Sequence, residues 1–264
     1  MDPATLPIVV RREPRDGGLV ATVTFNEPAR LNALSVARMT AFVEAMATIS
    51  AEPALRAVVL RGAGKAFLGG ADIEEMAKLA DPLAARAFIL RVHACCQAVR
   101  ECPVPVIAAI HGHCLGAGLE LAAACDLRLA ADDARLGMPE VRLGLPSVVE
   151  AALLPQLVGW GQAKRLVYLG ETLDAAEALR IGLVDRVVGS GELEGALGEW
   201  LGHLLAAGPD AIRAQKALIR RWEGPSVESA IAAGVDAFEA AFRGPEPARM
   251  LGDFQAARGA RKGG

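Results

Sequence analysis

The 264-residue sequence predicts an α/β core followed by a mostly helical C-terminal part. Three observations carry that reading. Short apolar runs of strand character, Arg56–Leu60, Val104–Ile110 and Asp126–Ala130, alternate with segments of helical periodicity. Two glycine-rich turns, Gly62–Gly70 and His111–Gly118, punctuate that alternation. Beyond about residue 150 the periodicity is helical, except for a short strand at Leu183–Val188. The core is placed at residues 1–195 and the helical part at 196–264.

The elements follow in order. Leu19–Phe25 alternates as a strand, with Ile8–Arg12 as its partner across Asp16-Gly17-Gly18. Asn26–Leu34 is a loop containing Pro28. Ser35 caps a helix whose apolar residues Met39, Phe42, Val43, Met46 and Ile49 recur at helical spacing. After the strand Arg56–Leu60 and the first glycine-rich loop, a helical turn is expected at Ile73–Leu79. Residues 83–101 form a long helix stopped by Pro103. The strand Val104–Ile110 leads through the second glycine-rich turn into a helix ending near Cys125. After the strand Asp126–Ala130, a further helix is expected over Glu150–Val158.

Composition narrows the function. At 53% hydrophobic and 22% charged, the chain holds enough apolar material for a sizeable core and is not disordered. Only 4% is aromatic, too little for platforms that stack single-stranded nucleic acid. Lys+Arg 28 against Asp+Glu 31 leaves a net charge of −3, so no nucleic-acid partner is expected. The longest apolar stretch, 103–119, is broken by Pro, His and Gly and falls short of the roughly 20 residues of a membrane span, so no membrane partner is expected. The start MDPATLPIVVRREP has no basic residue leading into an apolar run, which argues against a signal peptide and for a cytoplasmic location. The cysteines 95, 96, 102, 114 and 125 are odd in number, without C-x-x-C or metal-ligand spacing. They read as reduced, mostly buried thiols, and no metal is expected.

The glycine-rich loops differ in what they offer. In Gly62-Ala63-Gly64-Lys65, Val59 stands where a phosphate loop needs its first glycine and Ala66 where it needs a hydroxyl. No G-x-G-x-x-G follows a strand, which disfavours a dinucleotide fold. By contrast, Gly116-Ala117-Gly118 follows an apolar strand and opens a helix. The first N–H groups of such a helix lack intrahelical partners and carry partial positive charge. Small residues let a ligand oxygen approach them. Glu120 lies one turn in, on about the same face as Ala117. A carboxylate beside a donor-lined oxygen pocket is an acid–base arrangement; a carboxylate that merely caps the free N–H groups is the alternative with equal claim. His111, His113, Cys114 and Asp126, nearby, read as structural.

The segments KAFLGGADIEEM (65–76), PVIAAIHGHCLGAGLELAAACDLRLA (105–130) and LGMPEVRLGL (136–145) resemble, in order and spacing, the crotonase, or enoyl-CoA hydratase/isomerase, superfamily. NEPARLNALS (26–35) and GQAKRLVYLGETLDAAEALRIGLVDRVV (161–188) extend the resemblance, which runs over about residues 8–255. It implies a crotonase-type spiral of ββα units whose C-terminal helices build a homotrimer or a dimer of trimers. It implies an acyl-CoA thioester as substrate, with CoA a part of that substrate and no separate cofactor. Two backbone N–H groups would hold the thioester carbonyl, and they match Ala71, after Gly69-Gly70, and Ala117. Gly69, Gly70, Asp72, Ile73, Leu31 and Gly116 match substrate- or CoA-binding positions. The superfamily's hydratases use two glutamates around one water, and Glu120 and Glu140 match both; simple isomerases usually keep only the second. The implied activity is hydration of 2-trans-enoyl-CoA to 3-hydroxyacyl-CoA. Glu140 would deliver a proton to the α-carbon and Glu120 would orient and deprotonate the water. The alternatives are a Δ3,Δ2-enoyl-CoA isomerase, or a non-catalytic or RNA-binding relative.

One stretch departs from the resemblance. Many hydratases follow the second glutamate with Pro-Gly-x-Gly-Gly, and here the residues are Pro146-Ser147-Val148-Val149-Glu150. Two valines in place of small residues narrow the space beside the acyl chain, so short or medium chains are expected. Ser147-x-x-Glu150 reads as a capping box for the next helix. The competing reading sends Glu150 into the acyl pocket as a third acid. Val148 stands where dienoyl isomerases carry an extra acid. Glu74 stands where a lysine is frequent, leaving Arg30 or Lys65 to meet the CoA phosphates.

Overall fold

A two-residue turn, Asp16-Gly17, joins β1 (Ile8–Arg15) to β2 (Gly18–Phe25), with Arg15 opposite Gly18 and Ile8 opposite Phe25. The computed structural model describes residues 6–224 and 226–260. Helix α1 (Val36–Ser50) begins where Ser35 Oγ accepts the Arg38 amide at 3.3 Å. Its Met39, Phe42, Met46 and Ile49 are buried and Val43 is half-buried, as their spacing predicts. Phe42 stacks on Phe25 of β2 with ring centroids 4.9 Å apart. Full burial of such a side chain contributes about 1.5–3 kcal/mol.

From there the chain repeats one pattern. β3 (Leu55–Gly62) and β4 (Ala66–Leu68) precede helices α2 (Ile73–Met76) and α3 (Pro82–Glu101). β5 (Val106–Ile110) and β6 (His113–Leu115) precede α4 (Ala117–Ala124). β7 (Leu127–Ala131) and β8 (Arg135–Gly137) precede two 3-10 turns, Pro139–Leu143 and Val149–Leu153, and helix α5 (Leu154–Leu169). β9 (Thr172–Asp174), α6 (Ala175–Arg180), β10 (Arg186–Val188) and α7 (Leu193–Ala206) follow. In each repeat the first strand enters one sheet and the second strand enters another. The larger sheet has the order β1-β2-β3-β5-β7-β10 and is parallel from β2 onward. The smaller has the order β4-β6-β8-β9, with only β9 antiparallel. The result is a spiral of ββα units. The inner strands β3 and β5 are almost wholly buried, which is why RAVVL and VIAAI are continuous apolar runs.

Several boundaries differ from those the sequence predicts. β4 and β6 lie inside the two glycine-rich stretches that read as loops, and β8 and β9 have no sequence counterpart. Strands of three residues are too short to show alternation. The helical turn expected at Ile73–Leu79 stops at Met76, and the strands expected from Val104 and Leu183 begin at Val106 and Arg186. In place of a helix over Glu150–Val158 there is a 3-10 turn and then α5, kinked at Gly159.

The buried cysteines are all free thiols. Burial pushes the Cys95 thiol up to about 12 and raises Cys96 and Cys114 as well. Asp126 Oδ2 accepts the Val106 amide at 2.7 Å, tying the start of β5 to the end of α4. Gly118 lets α4 lie against β4, since a Cβ there would sit 2.5 Å from the Leu68 carbonyl oxygen.

The chain divides into two compact units, Met1–Leu201 and Gly202–Gly264. The second contains α8 (Pro209–Trp222), α9 (Val227–Ala241) and α10 (Glu246–Ala260). Glu246 is buried and accepts the Asp210 and Ala211 amides at 3.1 and 2.8 Å, at the positive end of α8. Val227, Ile231, Val235, Phe238 and Phe242 of α9 are 56 to 70% exposed. Among the described residues, no helix is long and apolar enough to cross a membrane.

Candidate active site

Strands β4, β6 and β8 lie side by side and parallel, so their carboxyl ends open on one side of the smaller sheet. Each end delivers one part of a cavity of about 370 Å³. β4 runs into Gly69-Gly70-Ala71, β6 into Gly116-Ala117, and β8 into Pro139-Glu140, all of which line it. A site at the carboxyl ends of neighbouring parallel strands is the general rule for open α/β sheets.

Backbone geometry leaves two amides to spare at this cavity. Leu34 and Ala71 form a parallel bridge in which the Leu34 amide donates to Gly70 O at 2.8 Å and the Asp72 amide to Leu34 O at 3.1 Å. That register turns the Ala71 N–H to the opposite side. Ala117 is the first residue of α4, so its N–H has no intrahelical partner. The loop before β4 is held from below. Buried Asn32 donates to Ala63 O and Ala66 O at 2.9 and 2.8 Å, and Leu31 O accepts the Gly69 amide at 2.8 Å. A carbonyl oxygen placed between the two amides would be polarised.

Two acids share the same cavity. Glu120, one turn into α4, is only 3% exposed. Burial, with the nearby Glu140 charge as the next cause, pushes its carboxyl up to about 8. Backbone polarity at Ala151 and Val148 opposes that rise. Glu140 stands on the 3-10 turn Pro139–Leu143, half-buried, and its Oε2 accepts the Ser147 hydroxyl at 2.8 Å. Gly116 has φ 53° with ψ −123°, a conformation that requires glycine, and a Cβ there would lie 2.5 Å from Glu140 Oε1 and push that carboxyl group aside. At neutral pH Glu120 therefore holds a proton beside a second acid, Glu140. Apolar Met76, Phe88, Leu143, Leu145 and Val148 line the rest, with Arg86 the one basic residue of the lining.

Of the residues singled out in the sequence, Gly69, Gly70, Ala71, Ile73, Gly116, Ala117, Glu120 and Glu140 meet at this cavity. Leu31 and Asp72 do not line it. Asp72 Oδ1 caps α2 by accepting the Glu74 and Glu75 amides, and it also accepts from Arg30 at 3.2 Å. Arg30 is further paired with Glu74 at 2.9 Å, while Lys65 is exposed. His111 Nε2 lies 3.1 Å from Gly64 O, His113 is exposed, and the Cys114 thiol is buried against Gly118 O; none lines the cavity.

The capping box expected at Ser147-x-x-Glu150 is absent. The Ser147 hydroxyl goes to Glu140, and Oε1 of buried Glu150 lies 2.8 Å from His93 Nδ1. Glu150 does not line the cavity either, so the third-acid reading also fails. Sequence reasoning missed Ser147 as the partner of Glu140 and His93 as the partner of Glu150. Only the polar residues at 147 and 150, standing among valines, hinted at tertiary partners.

Comparison with known proteins bears on this geometry. The family model described as enoyl-CoA hydratase/isomerase matches residues 15–247. A short-chain-enoyl-CoA hydratase of Clostridium acetobutylicum is 37% identical over 227 residues, covering 85% of this chain and 87% of that one. A peroxisomal Δ(3,5)-Δ(2,4)-dienoyl-CoA isomerase of Arabidopsis thaliana is 31% identical over 219 residues, covering 78% and 79%. The crystal structure of an enoyl-CoA hydratase from Bacillus anthracis superposes with a TM-score of 0.90 at 32% identity, covering 96% of this chain and 97% of that one. Fold and site thus define an enzyme of the crotonase superfamily. Within it, the chain belongs to the enoyl-CoA hydratase/isomerase family, whose substrates are acyl-CoA thioesters.

The raised Glu120 carboxyl has a consequence for stability. The folded state keeps a proton that an unfolded chain releases near the ordinary value of 4.5. Between that pH and about 8 the native state binds more protons than the unfolded one, so Glu120 costs increasing stability as pH rises, and the cost levels off above about 8. Glu120→Gln removes the ionisable group at nearly constant size. Its Tm advantage over the wild type should be smallest near pH 5, grow as pH rises, and flatten above about pH 8. Thermal unfolding across this range checks it, and a constant Tm difference would mean that Glu120 titrates normally.

Proposed function

We propose that the protein hydrates 2-trans-enoyl-CoA thioesters to 3-hydroxyacyl-CoA. The observation that carries this reading is that Glu120 and Glu140 share one cavity with the Ala71 and Ala117 amides. The thioester oxygen sits between those amides, which stabilise the enolate charge that develops on it. Each such donor is worth roughly 100- to 1,000-fold in rate. The same polarisation makes the β-carbon electrophilic.

The acid pair needs one proton to work. In the free site that proton is on Glu120. A water touching both acids gives a proton to Glu140 and takes one from Glu120, leaving Glu120 ionised. The water oxygen then bonds to the β-carbon as its proton passes to Glu120, and Glu140 gives its proton to the α-carbon. Glu120 ends protonated and Glu140 ionised, which is the starting state, so no further proton is consumed. Val148 in the lining supports a preference for short or medium acyl chains.

A second reading, Δ3,Δ2-enoyl-CoA isomerisation, is favoured by the same retained proton. With Glu120 neutral, Glu140 is the single carboxylate offered to the substrate, and one carboxylate suffices to move a proton between carbons. Turnover on 2-enoyl- and 3-enoyl-CoA thioesters of graded length separates the two. Hydration predicts that Glu120→Gln and Glu140→Gln each lose activity on crotonyl-CoA by about 100-fold or more. It also predicts that kcat/KM falls as pH rises through about 8, where the pair loses its proton. Loss in Glu140→Gln alone supports the isomerase, and wild-type turnover in both variants removes both readings. Greater kcat/KM on long-chain substrates than on crotonyl-CoA would contradict the chain-length preference.

The exposed α9 face supports a homotrimer or dimer of trimers, because an apolar strip of this kind is a surface that another subunit covers. Light scattering at micromolar concentration should give three or six times the chain mass, and a monomer would contradict this.

A further inference from the structure

Three carboxylates meet one short stretch of chain. The Ser147 hydroxyl donates to Glu140 at 2.8 Å, Val148 lines the cavity together with Glu120, and Glu150 Oε1 lies 2.8 Å from His93 Nδ1. The residue in the middle, Val149, has φ 39°. A β-branched side chain in the left-handed region is sterically disfavoured and persists only where its surroundings enforce it. Glu140 therefore takes its hydrogen bond, and Glu120 its neighbour Val148, from a turn that, left alone, would adopt another conformation.

One contact is placed to enforce it. Glu150 is 3% exposed, and its Oε1 lies 2.8 Å from Nδ1 of His93 on α3. Its other oxygen, Oε2, is buried without a hydrogen-bond partner among the described residues. The groups whose charges act with or on Glu150 are His93, the Cys95 and Cys96 thiols of α3, and Glu120 of α4. Of these only His93 makes a favourable polar contact with it. His93 is 45% exposed, so its ring reaches in from the rim while α3 itself is anchored by buried Val92, Cys95 and Cys96.

We propose that His93 and Glu150 are a positioning pair that holds the strained Ser147–Ala151 turn against Glu120 and Glu140. The proposal rests on the reading of those two glutamates as the reacting acids. Without the pair, Val149 relaxes to negative φ, the Ser147 hydroxyl leaves Glu140, and Val148 shifts beside Glu120. The pair never touches substrate.

The test uses the half-exposed partner, whose removal does not open the core. His93→Ala should lower kcat on the best enoyl-CoA substrate by about 10- to 100-fold, since a misplacement near 1 Å costs on the order of 100-fold. KM should stay within about twofold, because the pair lies outside the lining. Adding Val149→Gly, which makes positive φ free of steric cost, should restore most of the lost kcat. Amide hydrogen exchange over residues 147–151, read without substrate, should quicken in His93→Ala and slow again in the double variant. Glu150→Gln, which keeps an acceptor for His93, should stay closer to the wild type than His93→Ala. Wild-type exchange in His93→Ala would overturn the proposal, as would a kcat loss that Val149→Gly leaves unrepaired. If the wild type turns over no enoyl-CoA, the hydratase and isomerase readings fall, while the exchange result alone still decides whether the pair holds the turn.

Discussion

Glu120 keeps its proton because it is enclosed by apolar atoms within range of another carboxylate, and the active site is organised around that constraint. A carboxyl this buried is neutral at physiological pH unless donors compensate, and backbone polarity at Ala151 and Val148 offsets the rise only in part. The helix that carries it is preceded by Gly116, whose missing side chain admits the Glu140 side chain. Helix start, acid pair and glycine are thus one solution to a single packing problem. Enlarging residue 116 would separate the acids, and separating the acids would let Glu120 titrate more normally.

The two-sheet spiral supplies the placement. The strand pairs β3–β4, β5–β6 and β7–β8 each send one strand to the large sheet, which forms the buried framework, and one to the small sheet, which ends at the cavity. Because β4, β6 and β8 are neighbours, segments far apart in sequence arrive at the same edge: Ala71, Ala117 and Glu140. The Ala71 and Ala117 amides are backbone groups fixed by a bridge and a helix end, so in the proposed reaction they need little rearrangement to receive an oxyanion. The acids sit on a helix and a 3-10 turn, and the turn whose Ser147 donates to Glu140 meets α3 through Glu150 and His93.

The long elements were legible in the sequence because burial writes itself as periodicity. Met39, Phe42, Met46 and Ile49 mark one helix face, and VIAAI marks a strand covered on both sides. Gly116-Ala117-Gly118 with Glu120 was legible as a donor-lined turn beside an acid, although the sequence left capping equally open. The small sheet was not legible, since three residues hold too little pattern to distinguish a strand from a loop. Ser147 and Glu150 show a different limit. Their spacing satisfies a local capping rule, but Glu140 and His93 compete for the same groups and win. Local spacing cannot report a partner 57 residues away in the chain. His93 itself looks like a solvent-facing residue of an amphipathic helix, and half of it is.

The proton on Glu120 is observable directly. With glutamate carboxyls labelled with carbon-13, the wild type should show one resonance titrating near pH 8, far above the ordinary value of 4.5. That resonance should vanish in Glu120→Gln and move to lower pH in Glu140→Gln, where the neighbouring charge is gone. A wild-type spectrum in which every glutamate titrates close to the ordinary carboxyl range would contradict the account.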